Sequence, residues 1–477
     1  MNSLKMKKVL LLIILFTGLN ALVKGQEYEL KFHIDGIADT TVYLGYFFGE
    51  STYVKDTALV NSNGDFQFDG SKPLARGMYF LVLNKSRIFD FLVSDDQHFK
   101  LSTSTKDYLA NLNIEGDVEN QLFIEDIFYN QKSNSEAEPH VAIIRDSISS
   151  PKKIEEAKKA LDVLNDKVMA HQDEIIEKYP NMLIAKIFLA NRRINIPSTP
   201  EGSDPKEFGY WYMRNHYWDN FDLGNPSLLR LGRSIYKEKV EDYLDRLLLQ
   251  QPDTITAEIN RMAEVAKKTT DTYKYLVWTA TLKYQNPDIM GLDEVFVNLY
   301  DTYFASGEMD FWANDQLKKN LKDRADLLRL SLIGNTAPNM VMMDLNNQMK
   351  SMYDIKKKYT ILYFFDPDCG HCKTETPILN KFYKSTRFNV GVFAVSADTS
   401  MVKMEKYIKD MNLNWITVNG PRTATGSYHN SYDATTTPTL YVLDEKKKII
   451  AKKIPATRLE DFLTQYERIQ ATKSSNP

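Results

Sequence analysis

From Glu27 to about Gly116 apolar and polar residues alternate with a period of two. Leu30, Phe32 and Ile34 set the pattern, and similar runs follow at Thr41 to Phe48, Tyr53 to Val60, Met78 to Leu83, Ile88 to Val93 and His98 to Ser102. That period turns one face of each strand inward. Asn63-Gly64 predicts a hairpin turn between two of the strands. The segment 26–116 is therefore expected to form an antiparallel β-sandwich. Its aromatics, such as Tyr46, Phe47 and Phe48, read as core and cross-strand packing.

The period then changes. Lys152 to Lys178 places Ile154, Ala157, Leu161, Leu164 and Val168 three and four apart, the stripe of an amphipathic helix. Leu228 to Leu249, Thr256 to Lys267 and Ala313 to Leu332 read as further helices, punctuated by Pro180, Pro197, Pro226 and Pro252. The pattern predicts an all-α domain over 117–332. Tyr210 to Trp218 is aromatic but irregular, and reads as a loop packed between helices, with a recognition surface as the alternative. His216 within it has no visible partner and reads as structural. The charge-rich run Lys318 to Arg329 reads as a solvated helix face.

Near Gly334 the pattern changes again. Tyr359 to Phe365 is continuously apolar and β-branched, as a buried parallel strand requires, and Val390 to Val395 is a second such strand. Between them Asp366-Pro367-Asp368 turns into a helix. Leu440 to Leu443 and Lys448 to Lys452 form a hairpin around Asp444 to Lys447, and a helix from Thr457 to Tyr466 follows. The result is an α/β domain over 333–477.

Length agrees with several domains, since 477 residues correspond to about three at ordinary domain size. A formal net charge of −3 leaves no basic footprint for nucleic acid. At the N-terminus Lys5, Lys7 and Lys8 precede the apolar run Val9 to Phe16, after which the chain becomes more polar and ends in small residues, with Val23 and Gly25 suited to a cleavage site before Gln26. Residues 1–25 thus read as a secretory signal peptide. The apolar run is about half of the ~20 residues that span a bilayer, and no cysteine near the cleavage point offers a lipid anchor. The mature chain is expected to be exported to a periplasm.

The chemistry lies in two cysteines, the only ones in the chain, at Cys369-Gly370-His371-Cys372. At the start of a helix this spacing brings the sulfurs together, and the positive potential of the helix N-terminus favours a thiolate on the first. A structural zinc site needs about four ligands, and the seven histidines are scattered. A c-type haem attachment needs His directly after the second Cys, where Lys373 stands. A disulfide closing so short a loop adds little chain-entropy stability. The pair is read as a redox-active dithiol requiring no cofactor.

The strand and helix order, with Cys-Gly-His-Cys at the start of its first helix, resembles a thioredoxin fold, and in detail the ResA and TlpA branch of exported thiol-disulfide oxidoreductases. The resemblance implies that Cys369 is the exposed attacking cysteine and Cys372 the buried resolving one. Pro377 matches the proline that kinks the active-site helix. Thr437-Pro438-Thr439-Leu440 matches the loop whose cis-proline faces the disulfide and pairs with an incoming client strand. Glu375 matches the branch's active-site glutamate, a proton relay for the buried thiol. β-rich and helical modules ahead of a thioredoxin domain also resemble a known layout of exported bacterial proteins.

Three positions depart from the family pattern. Tyr363 stands where thioredoxin has a buried aspartate, which leaves Glu375 as the local acid. Asp368 replaces the usual Trp and sets a negative charge beside the nucleophile. Asp366 stands where a peroxiredoxin has Thr or Ser, which speaks against peroxidase chemistry. The expected function is dithiol-disulfide exchange with disulfide-bearing exported proteins, as a reductase reset by a membrane electron donor. His371, the residue that isomerases and oxidases carry between their cysteines, keeps the opposite direction open. A chaperone-like binder, or a homodimer, is the alternative that the large accessory modules suggest.

Overall fold

The computed structural model describes residues 27–475, so the signal-peptide reading of 1–25 lies outside the described residues. No helix among the described residues is long and apolar enough to cross a membrane. The chain divides into two compact units, Met1–Tyr243 with Val265–Thr272, and Leu244–Glu264 with Tyr273–Pro477. The first is β-rich and then helical; the second holds helices and the α/β sheet.

In the first unit β1 Tyr28–Asp35, β2 Thr41–Phe48, β3 Ser51–Leu59, β4 Asp65–Gly70, β5 Gly77–Leu83, β6 Ser86–Val93, β7 His98–Ser104 and β8 Asn113–Glu115 make two four-stranded sheets. Their orders are β4-β1-β7-β8 and β3-β2-β5-β6. The alternating residues meet in one core, Leu30, Phe32 and Ile34 against Val42, Leu44, Leu81 and Phe91. Two local expectations are corrected. Pairing is not wholly antiparallel, because β1 and β7 run parallel. Nor does Asn63-Gly64 close a hairpin, since β3 and β4 lie in different sheets. The turn there is organised by Asn61, whose Oδ1 accepts from Asn63 and Asp65 N–H at 2.9 Å. Gly64 has φ +88°, and a Cβ would stand 2.4 Å from Ile34 O, so a side chain is excluded there.

Helices α1 Val118–Arg145, α2 Pro151–Lys178, α3 Leu183–Asn191 and α4 Pro205–His216 follow. Helix α4 corrects the loop expected at Tyr210 to Trp218. Asp204 caps it by accepting from Lys206 and Glu207 N–H, and Pro205 fits its first turn. None of its residues is fully buried. His216 also has partners: Nδ1 is 2.7 Å from Asp219 Oδ2, and the ring stacks on Tyr212. The helix expected from Leu228 is a 3-10 turn, Pro226–Leu229, followed by α5 Ile235–Arg246. The chain continues through α6 Pro252–Ala266 and α7 Thr270–Gln285.

The second unit adds α8 Asp293–Leu299, α9 Asp315–Leu330 and a seven-stranded sheet. The sheet comprises β9 Val341–Met343, β10 Met349–Ser351, β11 Tyr359–Phe365, β12 Val390–Ser396, β13 Ile416–Thr423, β14 Thr439–Leu443 and β15 Ile449–Lys452, in the order β10-β9-β13-β12-β11-β14-β15. Strands β11, β12 and β13 are parallel, while β14 runs against β11. Helices α10 Gly370–Ser385, α11 Met401–Asp410 and α12 Leu459–Ser475 complete it. Every residue of β11 is buried because both of its faces are covered. Ile361, Tyr363 and Phe365 pack with Cys372 and Leu379 of α10 and Leu459 of α12, whereas Leu362 and Phe364 face Tyr428, Tyr432 and Tyr441.

Within this unit α8 and α9 are joined to the sheet by charge. Lys452 of β15 pairs with Asp293, both almost fully buried, and donates to Ser331 O at 3.0 Å. Arg324 of α9 makes a two-pronged contact of 2.6 and 3.0 Å with Asp433, which also meets Lys453 at 2.5 Å. Asp433 starts the loop that ends at Thr437-Pro438. Burial alone would raise its carboxyl, but the bonds from Arg324 and Lys453 outweigh that and hold it at about 2.

Candidate functional site

Asp366-Pro367-Asp368 ends β11 in a turn closed by Cys369 N–H on Asp366 O at 3.1 Å and by Asp368 N–H on Asp366 Oδ1 at 2.7 Å. That turn puts Cys369 at the N-cap of α10, with extended backbone (φ −68°, ψ 121°), so that its sulfur accepts from Cys372 N–H at 3.2 Å. In the cap position a Ser or Asp oxygen ordinarily does this. Here a sulfur takes the place, and the bond favours its anionic form. Burial alone would push the Cys369 thiol up. The hydrogen bonds from Cys372, the Thr437 side chain and the backbone of His371 outweigh it, and the thiol sits below its ordinary value.

Cys372, one turn in, is fully buried. Desolvation first, then its bond to Cys369, pushes it up to about 12. The two thiols are free of each other here, the dithiol state. They form an asymmetric pair, one activated and half-exposed, one protonated and hidden.

The Thr437–Pro438 peptide is cis, and Cys369 Sγ lies 3.3 Å from Thr437 O. The loop before β14 therefore meets the start of α10 at the Cys369 sulfur. His371 is exposed on the first turn, and what it gives Cys369 is a backbone hydrogen bond. Pro377 lies inside α10. Glu375 is half-buried, and its Oε1 accepts from Ala456 N–H, tying α10 to the 3-10 turn Ala456–Arg458.

Asp368 is not a bare charge. Lys403 of α11 reaches it at 2.6 Å and reaches Asp398 at 3.1 Å. Asp368 and Asp398 thus share one ammonium group, which offsets the field Asp368 casts on Cys369. Lys403→Met should raise the Cys369 pKa and slow its attack on a small disulfide by about twofold at neutral pH, a modest effect because the pair is exposed and screened. Thiolate ultraviolet absorbance against pH checks it; an unmoved titration would show that Asp368 does not act on Cys369.

Two residues that sequence reasoning did not single out stand against Cys372. Tyr407 of α11 donates to Cys372 O at 3.0 Å, and its hydroxyl is 2.7 Å from Thr376 Oγ1. Thr376 was detectable by spacing, since it lies four residues after Cys372 on the same helix face. Nothing in the local pattern of α11 pointed to Tyr407.

Three family models match the chain: residues 333–452 match the AhpC/TSA family, 149–325 a domain of unknown function (DUF5106) and 28–123 another (DUF4369). The thiol-disulfide oxidoreductase ResA of Bacillus cereus is 27% identical over 122 residues, which cover 25% of this chain and 68% of that protein. Among solved structures, a domain of a possible thiol-disulfide isomerase from Cytophaga hutchinsonii is 37% identical, covering 30% of this chain and 97% of that one with a TM-score of 0.28.

Proposed function

We propose, from the premise that the C-terminal part of this chain is a ResA/TlpA-type thioredoxin-like domain and the protein a thiol-disulfide oxidoreductase, that it reduces disulfides of exported client proteins. The observation carrying this reading is the Cys369 sulfur, held by Cys372 N–H at the start of α10 and 3.3 Å from the backbone of Thr437. Cys369 thiolate attacks a client disulfide, forming one S–S bond and releasing one client thiolate. The client strand pairs along Thr437-Pro438. Cys372 then loses its proton, for which the family resemblance assigns Glu375 as acceptor, and attacks Cys369 Sγ. The second client thiolate leaves, two electrons having passed to the client. Two electrons and two protons from a membrane donor reset the pair.

The modules at 26–116, read as a β-sandwich, and at 117–332 hold clients or a second copy of the chain. The whole works outside the cytoplasm, where a protein with no other cysteine cannot mispair. His371 keeps a second direction open, since isomerases and oxidases carry histidine between their cysteines, and here its backbone N–H bonds Cys369 and favours the reduced, thiolate form.

Equilibration with glutathione buffers tests the direction. A potential near thioredoxin's, about −270 mV, is expected of the reductase; a value near about −180 mV would overturn it in favour of isomerase or oxidase work.

A further inference from the structure

Behind the resolving cysteine the fold buries three hydroxyls in a row. Tyr363 OH of β11 is 2.6 Å from Thr376 Oγ1, which is 2.7 Å from Tyr407 OH, which is 3.0 Å from Cys372 O. Tyr363, Thr376 and Tyr407 are 0%, 0% and 4% exposed, so the row must satisfy itself.

Each hydroxyl has one proton, and this fixes the direction of the row. A carbonyl cannot donate, so Tyr407 spends its proton on Cys372 O. Tyr407 oxygen must then accept from Thr376, and Thr376 oxygen from Tyr363. All three O–H dipoles point the same way, with their positive ends toward residue 372. Aligned hydroxyls polarise one another in a medium of low dielectric. The rings are held by stacking, Phe365 on Tyr407 at 4.9 Å and on Tyr363 at 5.6 Å.

We propose that Tyr363, Thr376 and Tyr407 are positioning residues for Cys372: a one-way hydroxyl chain that fixes the first turn of α10 and lowers the cost of negative charge on the resolving sulfur. The proposal rests on Cys372 being the resolving thiol. It gives a role to Tyr363, which brings no charge to a position where a carboxylate would itself be costly to bury. Preorganised dipoles of this kind need no reorientation when charge develops. Burial also keeps both phenols protonated, Tyr407 being pushed up to about 12, so they remain donors wherever the enzyme works.

The test is single-turnover oxidation of the full-length reduced protein by a disulfide peptide, acid-quenched so that mixed disulfide and closed Cys369–Cys372 disulfide are separated on gels. Thr376→Val cuts the chain at its centre while keeping the shape. It should slow closure by about tenfold at neutral pH and move the rise of closure rate with pH upward, with formation of the mixed disulfide unchanged. Thr376→Ser, which restores the hydroxyl, should restore both rate and profile. Tyr363→Phe removes the outermost donor and leaves the other bonds made, so it should shift closure in the same sense by less, and it serves if Thr376→Val does not fold. An unchanged pH profile in the foldable variants, or equal slowing of both phases, overturns the chain's role. Absence of any mixed disulfide at Cys369 in the wild type would overturn the exchange order beneath it.

Discussion

Cys372→Ser should turn this protein into a trap that holds clients by a disulfide at Cys369, while Cys369→Ser should hold none. The expectation follows from the unequal environments of the two sulfurs. Cys369 caps α10, accepts Cys372 N–H and is half-exposed, with its thiol below the ordinary value. Cys372 is buried and pushed up to about 12, so at neutral pH its thiolate is scarce. Attack must therefore begin at Cys369. With serine at 372 the mixed disulfide has no internal thiol to resolve it and accumulates. With serine at 369 the remaining thiol is neither ionised nor reachable. Both variants should lose multiple turnover by roughly a hundredfold or more. The same asymmetry predicts that iodoacetamide at pH 7 alkylates Cys369 and spares Cys372. Non-reducing gels and peptide mass spectrometry decide the matter. Equal trapping by the two variants, or equal alkylation of the two thiols, would sink the assigned order.

The order of strands and helices around the dithiol was legible because local residues dictate it. A seven-residue apolar run has to be a strand covered on both faces, and β11 is one. Asp366-Pro367-Asp368 before a Cys pair has to turn. What joins residues distant in sequence was less legible. Cys369 meets Thr437 across 68 positions, and only the resemblance to a known family put them together beforehand. Tyr407 reaches Cys372 O from 35 positions away in the chain, a tertiary contact that no local pattern records. In the first unit the periodicity marked strands and left partners undecided, so the parallel β1–β7 pair went unread. Helix α4 was read as a loop because its aromatic run looked irregular, although Asp204-Pro205 carried the cap and first-turn signal of a helix. Departures from the family pattern also changed meaning in three dimensions: Asp368 is answered by Lys403, and Tyr363 starts a hydroxyl row.

Asp293→Ala should destabilise the second unit by about 3–5 kcal/mol, because it strands a buried ammonium. Lys452 Nζ is held by Asp293 and Ser331 O, with the two charged side chains 5% and 7% exposed. Desolvation lowers the Lys452 pKa even with its partner present. Without Asp293 only the carbonyl remains, and the lysine must lose its proton, draw in water or unfold the contact between α8 and β15. The pH dependence gives the variant a signature. A lysine whose folded pKa lies below its unfolded one binds more protons when unfolded, so stability rises with pH between the two values. The variant should thus regain stability as pH approaches the ordinary lysine range near about 10. The double replacement Asp293→Leu with Lys452→Met removes both charges and keeps the volume; it should lie within about 2 kcal/mol of wild type on either side, since a buried ion pair is seldom worth more than a well-packed apolar one. Denaturant unfolding of the full chain, followed from neutral to alkaline pH, measures all three proteins. If Asp293→Ala costs under about 1 kcal/mol and shows no recovery at high pH, Lys452 is hydrated in solution, and the charged contact between α8 and the sheet contributes little to holding the helices on the redox domain.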